Sequence, residues 1–271
     1  MEKFHCEPSV DDLNRTTFAE KLLTIYEGEL SKYRDLKVEE LGIGRKFAYL
    51  LTDRGQVGLS FVLPDEPLPK KLLNKKFAWD LLGHLWHGSV PTAFALTAAN
   101  AIFQAFLDDN PAFVNFEGDF VEIFVSNCKG QTAVDFVGFV EGIAKNLKRR
   151  GFEITLYEDN PFHRREAEKV GIRTFSGSYL LVLKTADCLI TTGSAWIDPR
   201  VYTALRLKNY SFTAAVGPTS SFHPEVLKEM GVNLIGGSFV PKENRRELLR
   251  LVKGGFGFRS VRHLVRKWVY I

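Results

Sequence analysis

Hydrophobic residues recur along this chain at two periods, and the change from one to the other divides it. From Asp11 to Lys37, Leu13, Phe18, Leu22, Leu23, Tyr26 and Leu30 return at helical spacing. Two strand-like runs follow, Phe47 to Leu51 and Val57 to Val62, around Thr52-Asp53-Arg54-Gly55-Gln56, whose Asp and Gly suit a tight reversal. Pro64, Pro67 and Pro69 then impose a loop, because each removes a ladder donor and fixes φ. Between Thr92 and Leu107 the residues are apolar nearly all round, which predicts a helix buried on most faces, its start marked by Ser89 and Pro91. Asn100 interrupts that helix, and a buried amide must either bond to neighbouring backbone or face a site.

The polar stretch Ser126 to Thr132 breaks this rhythm and is the expected domain boundary, giving units 1–128 and 129–271. Beyond it, short apolar runs alternate with helical patterns. Val134 to Val140, Phe152 to Tyr157, Cys188 to Ile190, Phe212 to Val216 and Asn233 to Ile235 read as strands. Gly142 to Arg150, Arg164 to Val170, Arg200 to Leu207 and Pro224 to Met230 read as helices. Such alternation predicts an open parallel sheet, so the fold class is α/β: an N-terminal α+β domain followed by a Rossmann-like domain. Ligands of open parallel sheets sit at the carboxyl ends of the strands.

Composition narrows the partners more than the chemistry. The 271 residues carry 36 Lys and Arg against 32 Asp and Glu, spread along the chain rather than in one run, so nucleic-acid binding is not implied and a small anionic ligand fits the mild excess of +4. No stretch reads as a membrane span or a secretory signal. Cys6, Cys128 and Cys188 are odd in number and far apart, which speaks against a disulfide framework and for a reducing cytoplasm, with Cys188 a buried apolar filler.

Two turns rich in glycine and hydroxyl groups each follow an apolar run: Thr191-Thr192-Gly193-Ser194 and Gly217-Pro218-Thr219-Ser220-Ser221. At strand ends such turns offer N–H groups to an anion. His223 stands just beyond the second turn, at a helix entry, as either a cap or a ligand contact. Asp187 and Asp198 flank the first turn, as caps, bases or cation ligands. Gly138-Phe139-Val140-Glu141-Gly142 is half of a dinucleotide fingerprint, with Glu158 about twenty positions on where a ribose-binding acid would stand. Against it, Glu141 puts a negative charge where pyrophosphate would lie. His84 and His87 are spaced to meet one metal ion, or are ordinary surface histidines. The run Phe256 to Trp268 reads as a closing helix with a basic face, the alternative being a homodimer contact or an anionic partner. No nucleophile elbow, phosphate loop or His-Glu-x-x-His zinc motif occurs.

Taken as a set, Thr191-Thr192-Gly193-Ser194, Val216 to Ser221 and Gly231-Val232-Asn233-Leu234-Ile235-Gly236-Gly237 resemble the DUF364 family, described by heavy-metal chelation. Val137-Gly138 and Leu156 to Pro161 look like its earlier strand ends, and Gly58-Leu59 and Ala98 to Ala101 are similar to its N-terminal DUF4213 domain. The resemblance implies an N-terminal domain like that of enolase, a Rossmann-like C-terminal domain, and an active site in the cleft between them. The chain departs from the family at Ala195-Trp196-Ile197-Asp198, where a small polar run with an asparagine is usual, and at Thr219 in place of a serine.

The expected function is binding of a small anionic or metal-bearing ligand, or of a divalent or heavy-metal ion, in that cleft. Asn100, Gly138, Glu158, Thr192, Gly193, Ser194, Asp198, Gly217, Pro218, Thr219, Ser220 and His223 form the candidate set. The alternatives are an enzyme using adenosylmethionine or a dinucleotide, with the ribose on Glu158, and a non-catalytic carrier of a metal or metallocofactor.

Overall fold

Residues 10–62, 70–85, 88–128 and 130–271 are described by a computed structural model of the protein. The proline loop expected at 64–69, and the expected metal ligand His87 with Trp86 beside it, lie outside these residues.

The first helix, α1 (Val10–Glu29), stops short of Lys37, because the chain tightens into one 3-10 turn at Ser31–Tyr33. Next comes β1 (Val38–Ile43), a strand that the hydrophobic pattern conceals. None of its six residues is fully buried, so it has no apolar face to betray it. It pairs antiparallel with β2 (Phe47–Thr52), and β2 with β3 (Val57–Phe61) across the expected reversal. Two short helices, α2 (Lys70–Leu73) and α3 (Trp79–Leu82), lead into α4 (Ser89–Asp109), buried along almost its whole length. Although α4 is long and apolar enough to cross a membrane, it is packed inside this protein against β2, β3 and α3.

From there the alternation predicted by the sequence is realised. The order is α5 (Phe120–Asn127), β4 (Ala133–Val137), α6 (Glu141–Arg149), β5 (Glu153–Tyr157), α7 (Pro161–Lys169), β6 (Arg173–Phe175), β7 (Cys188–Thr192), α8 (Pro199–Leu207), β8 (Phe212–Val216), α9 (Pro224–Lys228), β9 (Leu234–Phe239), α10 (Arg245–Lys253), α11 (Phe258–Val261) and β10 (Arg266–Tyr270). Seven strands form one sheet in the order β10-β9-β8-β7-β4-β5-β6, parallel throughout except for β10. The closing run Phe256 to Trp268, expected as one helix, is helical only over Phe258–Val261 and a 3-10 turn at Arg262–Leu264, and then continues as the strand β10. Trp268 and Val269 are buried against the sheet while Arg266 and Lys267 face out, and Asn115 covers the outer edge with paired bonds to Val269. Strand order reverses between β4 and β7.

The two-residue period of the strands sorts the sheet into two faces. Val134, Phe136, Ile154, Leu156, Cys188, Ile190, Phe212 and Ala214 point into one core, closed by α5, α6 and α7. Val137, Tyr157, Leu189 and Ala215 point into the other, which runs without a break into the N-terminal unit. There Phe18 of α1 meets the rings of Trp196, Tyr202 and Phe222, and α1 lies over α8 and α9. One continuous apolar core between units favours a fixed relative placement over independent domain motion.

Two buried polar features were not foreseen. Cys128 and Cys188 are joined in a disulfide, with Cα atoms 6.5 Å apart, which corrects both the expectation of free thiols and the reading of Cys188 as mere filler. Their separation in sequence hid a pairing that α5 creates by packing beside the amino end of β7. Asp135 in β4 is wholly buried, and its carboxylate accepts from Thr185 N at 3.2 Å, from Tyr210 OH at 3.1 Å and from the Thr185 hydroxyl. Those bonds pin the irregular segment before β7, and burial beside this carboxylate pushes the Tyr157 phenol up to about 12.

Candidate functional site

Each parallel strand ends at the same edge of the sheet, and the ends of β5, β4, β7 and β8 form one contiguous band. Gly138 N donates to Tyr157 O at 2.9 Å, tying the end of β4 to that of β5. Gly138 has φ +77°, and a Cβ there would run into the Thr192 side chain, so the ends of β4 and β7 meet without a gap. Gly193 is equally constrained, because its Cβ would stand 2.7 Å from Ser220 N. Only glycine permits turns to approach this closely.

The second glycine turn is a lock between the domains. Phe61 N of β3 donates to Thr219 Oγ1 at 2.9 Å, and Asn100 Nδ2 of α4 donates to Leu59 O at 2.5 Å and to Pro218 O at 3.1 Å. Ser220 Oγ donates back to Gly217 O at 2.9 Å, and Ser221 Oγ lies 3.1 Å from Ser238 Oγ on β9. Asn100, only 4% exposed, thus bonds to backbone on both sides of the junction, whereas its Oδ1 is buried with no partner. An orphaned buried acceptor costs on the order of 1–3 kcal/mol, so it calls for a donor.

His223 does not share in that edge. Its ring is wholly buried among Phe103, Phe106 and Phe113, and neither nitrogen makes a hydrogen bond. Nε2 does lie 3.2 Å from Glu29 Oε2, but the approach lacks hydrogen-bond geometry. Burial therefore dominates and pushes the imidazole down to about 4, leaving it neutral near pH 7.

The β5 end is exposed to half-buried, whereas in the first glycine turn Thr192 and Gly193 are buried and Ser194 is the residue that reaches the surface. Thr192 Oγ1 and Ser194 Oγ stand 3.0 Å apart, and Ser194 is half-buried. Asp198 caps α8 through Arg200 N at 2.9 Å, and its carboxylate grips the Arg200 guanidinium, which also reaches Asp159. Asp198 and then Asp159 raise the Arg200 pKa further. Burial alone would raise Asp159, but the Arg200 bond and charge hold it below the ordinary carboxylate range. Asp187, at the other end of β7, pairs with Lys184 at 2.7 Å and takes no part.

Glu158 Oε1 accepts from Asn160 N at 2.9 Å, and Oε2 lies 3.3 Å from His163 Nδ1 in the first turn of α7. Its carboxylate is engaged by protein where a ribose would need it. Glu141 stands in the first turn of α6, paired with Lys145 at 2.6 Å and Arg259 at 3.3 Å, where a pyrophosphate would require no such charge. Sequence reasoning missed His163 and Arg200. The signal available was their placement, five residues after Glu158 and two after Asp198.

Among the described residues no group of three or more His, Cys, Asp or Glu side chains is arranged to hold a metal ion. Asn100, Thr192, Ser194 and Thr219 are oxygen and amide groups, Cys188 of β7 is joined to Cys128 at the end of α5, and His223 is sealed. That set does not suit a bare heavy-metal ion, which prefers thiolate and imidazole ligands. Two cavities of about 360 Å³ lie elsewhere, one beside Arg34, Phe77 and Trp79, the other beside Gln131, Lys184 and Asp187. Neither touches the band, whose polar groups and strand topology carry more weight than concavity in locating chemistry.

Comparison with known proteins agrees with this architecture. A protein of unknown function from the DUF364 family of Pyrococcus horikoshii superposes with a TM-score of 0.72, at 19% identity, over 95% of this chain and 99% of the other. A DUF364 protein of unknown function from Desulfitobacterium hafniense DCB-2 gives a TM-score of 0.71 at 20% identity, over 93% and 98%. At such identities the likeness establishes the fold alone. A search of curated proteins finds no match. The DUF4213 family model matches residues 26–103 and the DUF364 family model residues 119–271, both described as "putative heavy-metal chelation". With more than half its length matched by the second, the chain belongs to the DUF364 family and carries that family's DUF4213 domain at its N-terminal side.

Proposed function

We propose that the protein binds a small anionic or metal-bearing ligand along the carboxyl edge of its parallel sheet, at the ends of β5, β4 and β7, beside the locked turn that joins the N-terminal domain to β8. The observation that carries this reading is the reversal of strand order between β4 and β7, at which Gly138 and the hydroxyl pair of Thr192 and Ser194 meet. Outside such a reversal neighbouring connections leave in opposite directions, and the strand ends between them are the usual ligand position of an open sheet. Any metal would arrive held by the ligand, since the oxygen-rich protein groups suit the ligand's polar rim better than a naked soft ion.

Thermal denaturation with inorganic phosphate, citrate and ferric citrate, in the wild type and in Ser194→Ala, tests the reading. A compound at 100 times its dissociation constant adds roughly 2.7 kcal/mol. The expected result is a raised Tm with at least one compound, lost in Ser194→Ala while the ligand-free Tm is kept. A Tm unmoved by all three, or raised equally in the variant, would overturn it.

A further inference from the structure

The end of β5 carries a device distinct from the glycine turns. Glu158 follows the last residue of the strand, its side chain is 14% exposed, and its two carboxylate oxygens have separate tasks. Oε1 accepts the Asn160 backbone N–H at 2.9 Å, which fixes the carboxylate at the entry of α7. Oε2 is 3.3 Å from His163 Nδ1. Arg164 Nη1 donates to the Glu158 carbonyl at 2.7 Å and to that of Asp159 at 2.9 Å, so the turn holding the acid is braced from the same helix. His163 is 41% exposed at its side chain, and its ring lies 6.5 Å, centre to centre, from that of Phe139 in the loop after β4. The imidazole is thus on the β4 side of α7, facing the loop after β4.

We propose that Glu158 and His163 form a carboxylate–imidazole dyad in which Glu158 is the positioning residue and His163 Nε2 the proton acceptor for a hydroxyl group of the bound ligand. The inference rests on the assignment of this edge as the ligand site. An ionised carboxylate only accepts hydrogen bonds, so the ring nitrogen facing it must carry the proton. A neutral imidazole has one N–H, and placing it on Nδ1 leaves the lone pair on Nε2. When the ligand hydroxyl ionises, its O–H bond breaks, the proton goes to Nε2, the electron pair stays on the ligand oxygen, and the imidazolium keeps its Nδ1–H on Glu158. This arrangement recurs wherever a protein must fix which nitrogen of a histidine does the work.

Glu158→Gln reverses the arrangement without removing the brace. The amide oxygen can keep the Asn160 N–H, so the NH₂ group faces Nδ1, which must then be an acceptor, and the remaining ring proton moves to Nε2. Two readouts on the full chain decide. Nitrogen-15 spectra of the neutral ring should show the Nδ1–H tautomer in the wild type and the Nε2–H tautomer in Glu158→Gln. Diethyl pyrocarbonate acylates a ring nitrogen bearing a lone pair, with loss of ethanol and carbon dioxide. Peptide mass spectrometry should find His163 modified faster than the exposed His263 in the wild type, and about tenfold more slowly in Glu158→Gln than in the wild type. An Nε2–H tautomer in the wild type, or a reactivity that simply follows exposure and ignores the substitution, would overturn the dyad. Both readouts need no ligand, so they fail or succeed apart from the thermal-shift test of the site.

Discussion

The turn after β8 and the turn after β5 occupy equivalent places, each at the carboxyl end of a parallel strand, yet they are built for opposite ends. Gly217 to His223 opens on a glycine and carries three hydroxyl side chains, the composition usually associated with anion binding, and the protein spends it on itself. Its hydroxyls and carbonyls bond to β3, α4, β9 and to one another. Glu158 to His163 has no glycine, and it keeps a half-exposed imidazole, an oriented carboxylate and a neighbouring Arg200 clamp. A glycine-rich turn signals that two backbones approach closely, and the approaching group can be another part of the same chain. Charged residues held by short-range backbone bonds are the better sign of chemistry.

Four substitutions would break or sharpen that contrast. The largest effect should come from Asn100→Asp, which turns the donor shared by Leu59 O and Pro218 O into a buried charge facing two carbonyls. About 4 kcal/mol should be lost in denaturant unfolding at pH 7. A loss below about 1 kcal/mol would mean the lock is not a lock.

His223 should give a pH-dependent loss of similar size. Its ordinary pKa of 6.5 falls to about 4 in the folded protein because burial penalises the charged ring. The unfolded chain takes up the proton first, so the contribution is complete above pH 6.5 and is lost as pH falls towards 4, to a total of about 3 kcal/mol. His223→Leu should flatten the stability curve within that window, and a curve with unchanged slope would assign the acid sensitivity elsewhere.

Gly193→Ala is the third. Its added Cβ meets Ser220 N at 2.7 Å, a backbone atom that cannot swing aside, and about 2 kcal/mol should be lost by thermal denaturation. Glu158→Gln, by contrast, should stay within about 0.5 kcal/mol of the wild type while changing the His163 tautomer. A large loss of stability there would make Glu158 part of the scaffold instead.

Much of the frame was legible in the sequence because it depends on periodicity. The buried helix α4, the β2–β3 hairpin and the alternation from β4 to β9, β6 excepted, follow directly from where apolar residues recur. What was hidden depends on pairing across distance. β1 has no buried face, β6 is three residues long, and β10 reads as an amphipathic helix because only two of its residues enter the core. The disulfide required knowing that α5 lies beside β7. The candidate site was legible as a place, since strand ends are where the glycine turns fall. It was not legible as chemistry: the turn residues bond to the N-terminal domain, His223 is caged by three phenylalanines, and His163 is meaningful only once Glu158 is beside it.

Hydrogen–deuterium exchange of the two turns, with and without the compound among phosphate, citrate and ferric citrate that most raises Tm, tests the central claim most directly. Without ligand, the amides of Gly217, Ser220, Ser221 and His223 are already bonded to Gly236 O, Gly217 O, Pro218 O and Tyr26 OH, and should exchange only on global unfolding. Those of 159–163 and 194–195 lie on exposed or half-buried turns, where the bonds of Asn160 N and Phe162 N are local ones to Glu158 and Asn160 side chains, and they should exchange faster and be slowed by the ligand. Fast exchange at 217–223 in the free protein, or ligand protection there and not at 159–163 and 194–195, would contradict the division of the edge into a lock and a site.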